Sequence, residues 1–325
     1  MKNLNKPEVF VLVPSYNHAR FVERTLRSIF GQTLRPNRLI VIDDGSIDNS
    51  VEVIERTLAD CPFASELIVR ENRGLCKTLN QGFSISNEEY FSYLGSDDVW
   101  LPSFLEKSVS RLAEKPEACL VFSGAFLLDE NDFIIDETRN WYEFNSGDAL
   151  PFLLDGKIFS SPGVVYRSSL LPEKPWDEYM RLEDYDLYLR LAAKHEFVFN
   201  SEALCGWRQH DYNTSGNLPE IFPEFLKAHE KAVDRMEMQQ PERIRLRKKL
   251  MFEAAFNFVR FGFKKEAARY MISNLGGAAS IRQVLDLIFR LLIPGSLFQW
   301  NRRRKYDIAR RKNGKLALDG RKEQG

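Results

Sequence analysis

The sequence lacks the segments that typify exported and membrane-spanning proteins. It contains no run of about 18 uncharged apolar residues, and its N-terminus has no charged stretch followed by an apolar one. Cysteine is scarce, and the spacing of the thiols matches neither a zinc site nor a disulfide framework: Cys61, Cys76, Cys119 and Cys205. We therefore expect a cytoplasmic protein with reduced thiols, no cleaved export signal and no spanning helix.

Two glycine-rich phosphate motifs are also missing. No Gly-x-Gly-x-x-Gly follows the first apolar run at residues 9–13, and no Gly-Lys-Ser/Thr loop occurs anywhere. Their absence argues against a dinucleotide-binding fold and against a P-loop. A nucleotide diphosphate would have to be held in another way, and a divalent metal is the obvious candidate.

The composition is that of a soluble globular protein, with 325 residues, 44% hydrophobic and 28% charged. This length suits about two domains, or one domain with an extension. We place a catalytic domain at residues 1–218 and a helical C-terminal region at residues 219–325. The zero net charge conceals an asymmetry, because residues 301–325 carry +7 and the rest of the chain carries −7.

Buried strands alternate with amphipathic helices in the N-terminal half. Apolar runs of strand length occur at residues 9–13, 39–42, 67–69 and 90–94, and apolar residues at helical spacing lie between them. This alternation predicts an α/β fold with a doubly wound, mostly parallel sheet, flanking helices and a helical C-terminal extension.

Two of these strands end in adjacent carboxylates, Asp43-Asp44 and Asp97-Asp98. Ligands collect at the carboxyl ends of strands in open α/β sheets. Two oxygen donors there suit Mg²⁺ or Mn²⁺ bound to a diphosphate. A solvated turn that caps the helix after Pro102 is equally compatible with the Asp97-Asp98 pair.

Seven short motifs together resemble the family 2 glycosyltransferases, inverting nucleotide-sugar enzymes of the GT-A fold. The resemblance covers about residues 7–215, and the motifs follow the family's order. They are Val13-Pro-Ser-Tyr-Asn17, Ser28-Ile-Phe-Gly-Gln-Thr33, Val41-Ile-Asp-Asp-Gly-Ser46, Asn72-Arg-Gly74 with Asn80, Ser96-Asp-Asp98, Glu183-Asp184 and Arg208-Gln-His210.

The resemblance implies a role for each motif in binding the donor. Asp44 would recognise the base, with Tyr16 as an aromatic face beside it. Asp98 would bind Mn²⁺ or Mg²⁺, with His210 as a second ligand or a donor to the diphosphate. The remaining implied nucleotide-binding residues are Pro14, Asn17, Arg73, Lys77 and Asp97. Arg208, like Arg73 and Lys77, would neutralise phosphate, and Ser96 departs from the first aspartate of many family members.

Asp184 resembles the family's catalytic base. Inversion by single displacement needs a carboxylate opposite the departing diphosphate, where it takes the proton of the acceptor hydroxyl. Neighbouring helical residues diverge by about 100°, so Glu183 is expected to orient the acceptor instead. Acidic residues also favour helix N-termini for electrostatic reasons alone.

The resemblance implies transfer of a hexose from a UDP- or dTDP-linked donor to a saccharide or lipid-linked saccharide, in bacterial cell-surface polysaccharide or glycolipid synthesis. The alternatives are a nucleotidyltransferase-like enzyme and a non-catalytic carbohydrate-binding protein. The basic tail lacks a recognition fold around it, so we expect no nucleic-acid partner.

The C-terminal region combines an apolar helical stretch at residues 284–300 with a basic cluster at residues 302–305. This pattern is typical of a helix that lies on an anionic membrane surface, and it predicts a peripheral protein on the inner face of the plasma membrane. In the alternative interpretation, four apolar residues dock on the catalytic domain: Leu285, Ile288, Leu292 and Phe298.

Overall fold

A ten-stranded sheet forms the centre of the protein, which a computed structural model describes at residues 6–138, 141, 143–210, 218–317 and 322–323. The strands are β1 (Val9–Ser15), β2 (Arg38–Asp43), β3 (Ser65–Val69), β4 (Tyr90–Tyr93), β5 (Val99–Trp100), β6 (Ala118–Leu128), β7 (Ile134–Glu137), β8 (Ser146–Gly147), β9 (Val164–Arg167) and β10 (Glu196–Arg208). A separate two-stranded sheet contains β11 (Lys315–Leu316) and β12 (Lys322–Glu323).

Helices connect the strands and then form the C-terminal region. Those between the strands are α1 (Val22–Phe30), α2 (Ser50–Leu58), α3 (Leu75–Ser84), α4 (Phe104–Ala113), α5 (Leu150–Leu154) and α6 (Glu183–Ala192). Those that follow β10 are α7 (Leu218–Arg235), α8 (Gln240–Arg260), α9 (Lys264–Ser273), α10 (Ile281–Leu292) and α11 (Gly295–Asn313). Among the described residues, no helix is both long enough and apolar enough to cross a bilayer.

The sheet order is β3-β2-β1-β4-β9-β6-β10-β5, with β7 beside β6 and β8 beside β10. Strands β3, β2, β1 and β4 are parallel, and β9 runs antiparallel between β4 and β6. The predicted fold class is therefore confirmed. Because β1, β2 and β4 are parallel neighbours, the loops that follow them meet at one edge of the sheet.

Alternate residues of β1 bury their side chains on the two faces of the sheet. Val11 belongs to the apolar cluster with Leu26 of α1, whereas Leu12 belongs to the cluster with Leu79 of α3. This alternation follows from the two-residue period of a strand. Both faces are covered, so β1 is fully buried and its C-terminal end is held rigidly.

Strand β10 is longer than the sequence indicates. The apolar residues 197–199 predict a short strand, but β10 has 13 residues and pairs with β6 through register irregularities around Asn200 and Ala203. Irregularities of this kind let polar residues interrupt a strand without ending it. As a result, Arg208 lies at the end of a strand and not in a loop.

The C-terminal helices share apolar contacts with the catalytic core. Phe225 of α7 stacks on Tyr185 of α6 with the ring centroids 4.4 Å apart, and Leu287 of α10 is fully buried. The boundary predicted at residues 218 and 219 coincides with the start of α7. The division into two domains at that point stays a prediction.

Candidate active site

Asn17 joins the loops that follow β1 and β2. Its backbone N–H donates to Ser46 Oγ at 2.8 Å, and its side-chain oxygen accepts from the N–H of Ile47 at 2.9 Å. Asn17 adopts a φ of 54°, a left-handed conformation that asparagine tolerates better than most residues. Beside it, Pro14 is buried within β1 and the ring of Tyr16 is half exposed. Tyr16 is thus available to a planar ligand.

Asp44 organises the loop after β3. Its carboxylate accepts from the N–H groups of Arg73 at 2.9 Å and Gly74 at 2.7 Å, and it pairs with Arg70 at 2.7 Å. Gly45 is required here because a Cβ atom would lie 2.8 Å from the backbone nitrogen of Asn72. These contacts fix the orientation of the buried Asp44 carboxylate at the edge of the sheet.

Arg73 and Lys77 are exposed. They line a cavity of about 380 Å³ together with other side chains of α3 and side chains of the segment 173–178. The same helix fixes the segment that leads to Glu183 and Asp184. Asn80 donates to the carbonyl of Trp176 at 2.8 Å and accepts from its N–H at 3.1 Å. Helix α3 therefore joins the predicted nucleotide-binding residues to the segment before the predicted base.

Asp97 and Asp98 lie in a turn after β4 and have different surroundings. Asp98 is 6% exposed, and one of its oxygens accepts from the backbone N–H of Arg208 at 2.7 Å. Asp97 is hydrogen-bonded to Nε2 of His210 at 3.0 Å and lies 4.0 Å from Nδ1 of His18. The structure thus places Asp97, not Asp98, against His210.

The absence of a side chain at Gly95 lets both carboxylates lie close to its backbone. A Cβ atom there would lie 2.9 Å from Oδ1 of Asp97 and 3.4 Å from Oδ2 of Asp98. Burial and then the charge of Asp97 raise the pKa of Asp98 well above its ordinary value. Burial opposes the charge of Asp97 as well, but the hydrogen bond from His210 and the nearby His18 lower its pKa.

His18 is a site residue that the sequence did not reveal. Its Nδ1 lies 2.8 Å from Oγ of Ser96, and its ring centroid is 5.6 Å from that of His210. The ligand atoms of His18, Asp97 and His210 all lie within 4.8 Å of one another. The one available signal was the position of His18 directly after the β1 motif, on the edge where the strands end.

Arg208 does not face a phosphate position. Its side chain is 1% exposed, and it donates to the carbonyl of Asp97 at 2.6 Å and to the carboxylate of Asp132 at 2.6 Å. Its guanidinium also covers the ring of Phe21 at 4.9 Å. Arg208 therefore supports the Asp97-Asp98 turn, which corrects the expectation that it neutralises phosphate.

Glu183 and Asp184 begin α6, as the sequence predicts. One oxygen of Asp184 accepts from the N–H of Tyr185 at 2.7 Å. Burial raises the pKa of Asp184, and burial together with the charge of Asp184 raises the pKa of Glu183 further. Burial raises the pKa of Tyr93, the last residue of β4, and the charges of both carboxylates are among the smaller causes of this rise. The two acids therefore lie near the strand that leads to Asp97.

Comparison with known proteins identifies relatives over the N-terminal part of the chain. The model described as Glycosyl transferase family 2 matches residues 10–171. A protein of Nostoc sp. named as an uncharacterized glycosyltransferase is 29% identical over 168 residues, which are 50% of this chain and 52% of the relative. The amylovoran biosynthesis glycosyltransferase AmsE of Erwinia amylovora is 25% identical over 193 residues, covering 58% and 71% of the two chains.

Two solved structures have the same fold. Staphylococcus aureus TarS, residues 1–349 in complex with UDP-GlcNAc, superposes with a TM-score of 0.63 at 16% identity, covering 96% of this chain and 90% of that one. The mannosyltransferase PcManGT of Pyrobaculum calidifontis, in complex with GDP-Man and Mn²⁺, gives 0.58 at 19% identity, covering 94% and 86%.

Proposed function

The chain belongs to glycosyltransferase family 2, and we propose that it is a metal-dependent, inverting enzyme that transfers a hexose from a UDP- or dTDP-linked donor to an acceptor hydroxyl. Membership of this family excludes the two alternative functions, a nucleotidyltransferase-like enzyme and a non-catalytic carbohydrate-binding protein. Three separate segments of the chain meet at one edge of the sheet, and this arrangement supports the proposed donor and metal dependence. His18, Asp97 and His210 lie together there, beside the loop that Asp44 organises.

A divalent cation fits this edge. Oxygens of Asp97 and Asp98 both lie close to Gly95, and imidazole nitrogens of His18 and His210 approach Asp97. A mixture of carboxylate and imidazole donors favours Mn²⁺ over Mg²⁺, because Mg²⁺ keeps mainly oxygen ligands. When bound, the cation supplies positive charge that stabilises the departing diphosphate. Asp97 and His210 would hold it, with His18 and Asp98 as further candidates.

Asp184 is the general base in this proposal, and Glu183 orients the acceptor. The pKa of Asp184 is raised to about 6, whereas that of Glu183 is raised to about 8. Burial is the main cause of both shifts, and the charge of Asp184 adds to the shift of Glu183. A carboxylate with a pKa near the working pH accepts a proton more readily than an ordinary aspartate.

Binding of the donor nucleotide tests the proposal directly. We expect UDP or dTDP with Mn²⁺ to raise the melting temperature more than GDP with Mn²⁺ does, because a ligand of the folded state stabilises it by mass action. At a ligand concentration about 100 times Kd, the gain is about 2.7 kcal/mol. A screen of nucleotide sugars for metal-dependent hydrolysis then identifies the sugar. No shift with any nucleotide would refute the proposed donor site.

The proposed acceptor is a saccharide or a lipid-linked saccharide. We propose that the enzyme meets it on the inner face of the plasma membrane. Helix α10 docks through Val284, Leu287 and Leu291, while a second apolar face is open to solvent. Leu285 is 60% exposed and Leu292 is 77% exposed. The alternative, in which these two leucines dock on the catalytic domain, is therefore wrong for them, whereas Phe298 of that set is partly buried and packs against the core cluster. The open face comprises Ile281, Leu285, Ile288, Phe289 and Leu292.

Helix α11 adds charge complementarity for an anionic bilayer. Residues 302–305, all basic, are exposed, and Arg304 lies 5.4 Å from the ring of the half-exposed Trp300. Each cation near an anionic lipid surface contributes about 1 kcal/mol. Trp300 lies about 15 Å along the helix from Arg310, which contacts Asp129. A membrane at this face would thus adjoin the catalytic edge.

Sedimentation with vesicles tests the membrane face. We expect wild-type protein to sediment with anionic but not with neutral vesicles, and the Leu285→Glu/Leu292→Glu double variant to lose most of this binding. Ile244→Glu on α8 is a matched control, because Ile244 is also an exposed apolar residue of a C-terminal helix. Equal sedimentation of the double variant and the control would contradict the membrane contact.

A further inference from the structure

We propose that residues 310–316, the C-terminal strap, position the Asp97-Asp98 turn, so that the far C-terminus is part of the donor site. The inference rests on the proposed function for its ligand, a nucleoside diphosphate with a divalent cation. The structural coupling itself depends on no ligand.

The strap binds the loop between β6 and β7. Arg310 Nε donates to Oδ2 of Asp129 at 2.8 Å, and the N–H of Ile134 donates to the carbonyl of Gly314 at 3.1 Å. The N–H of Leu316 donates to the carbonyl of Asp132 at 2.9 Å. The Leu316 side chain is 3% exposed and belongs to a small apolar cluster with three partners: Val99, Leu128 and Ile134. Val99 directly follows Asp98, so the strap packs against the site turn from behind.

The same loop holds Arg208. The guanidinium of Arg208 donates to Oδ1 of Asp132 at 2.6 Å and to the carbonyl of Asp129 at 3.2 Å. Arg24 pairs with that oxygen of Asp132 at 3.1 Å and also donates to the carbonyl of Leu316. Asp132 thus lies between the strap and Arg208.

Arg208 then holds both carboxylate residues. Its backbone N–H donates to Oδ1 of Asp98, and its Nε donates to the carbonyl of Asp97. A buried cation is stable only while its partners keep their positions. The strap therefore fixes the loop, the loop fixes Arg208, and Arg208 fixes the orientation of the two carboxylates. Residues that orient metal ligands from behind typically change metal affinity by about 10- to 100-fold when they are replaced.

The test compares Arg310→Gln with Arg311→Gln in the full-length chain. Both changes remove one charge from neighbouring positions on α11, but Arg310 pairs with Asp129 whereas Arg311 is exposed. The first measurement is amide hydrogen exchange of residues 94–101 and 204–210 without ligand. The second is the affinity for UDP with and without Mn²⁺. Melting temperature is recorded for each variant.

We expect Arg310→Gln to accelerate exchange at Arg208 and to weaken Mn²⁺-dependent UDP binding by at least about tenfold. UDP affinity without the metal should stay unchanged, because the Asp44 loop is untouched, and Arg311→Gln should resemble wild type. A merely stabilising strap would lower the melting temperature and leave the Mn²⁺ dependence intact, which would overturn the proposal. Unchanged exchange in both variants would also overturn it. Failure of wild-type protein to bind any nucleotide would instead refute the proposed function, and the exchange measurement would still decide the coupling.

Discussion

Replacing Asp184 by asparagine is expected to lower the rate of sugar transfer by a factor on the order of 10² to 10⁴. The amide has the shape of the carboxylate, but it cannot accept the proton of the acceptor hydroxyl. Asp184 begins α6, where its carboxylate accepts from the N–H of Tyr185. It has no proposed role in binding the donor, so donor affinity should stay near that of wild type. Single-turnover transfer to a saccharide acceptor, with UDP affinity measured in parallel, separates the two effects.

The pH profile provides a second measure of the same role. In wild-type protein the rate should fall as the pH drops below about 6, where the raised pKa of Asp184 lets the carboxylate take up a proton. This acid limb should be missing from Asp184→Asn. Glu183→Gln is the matched control and should retain the acid limb, because it leaves the carboxylate of Asp184 in place at the start of α6. A wild-type rate in Asp184→Asn would transfer the role to another group, with Glu183 the first to examine.

The sequence predicted the site best where local pattern and sheet topology determine position. Asp44 and Asp98 both follow buried strands, and parallel strands bring their carboxyl ends to one edge, so the meeting of these loops could be anticipated. The detailed partners could not. Asp44 binds the backbone of residues 73 and 74, a contact that depends on how the β3 loop folds back. Its predicted contact with a base stays a prediction.

Long-range proximity was the main source of error. His18 and His210 lie at opposite ends of the catalytic region in the sequence, and no spacing rule relates them, yet their rings meet beside Asp97. Arg208 was interpreted as a cation that neutralises phosphate, because only residues 197–199 before it had the pattern of a strand. The irregular pairing near Asn200 allows β10 to continue to Arg208, and its guanidinium enters the interior.

Replacing Asp98 by alanine is expected to abolish Mn²⁺-dependent donor binding and to lower kcat/KM by a factor on the order of 10³, because a bound cation contributes several kcal/mol to such a reaction. Removing Asp98 also frees the N–H of Arg208 and lets the turn reorient. The fold should survive, since β4 and β5, the strands on either side of the turn, are buried. Titration of UDP with and without Mn²⁺ measures the effect.

Gly95→Ala provides an independent test that leaves every charge in place. The added methyl group would lie 2.9 Å from Oδ1 of Asp97 and 3.4 Å from Oδ2 of Asp98, so it would push the Asp97 carboxylate away from its present position. We expect it to weaken Mn²⁺-dependent UDP binding by about 10- to 100-fold without changing metal-free UDP affinity. Gly31→Ala is a suitable control, because its nearest neighbour would be a carbonyl oxygen at an ordinary 3.6 Å. Wild-type Mn²⁺ dependence in both Asp98→Ala and Gly95→Ala would exclude this turn as the metal site, because one variant removes a candidate ligand and the other displaces the Asp97 carboxylate.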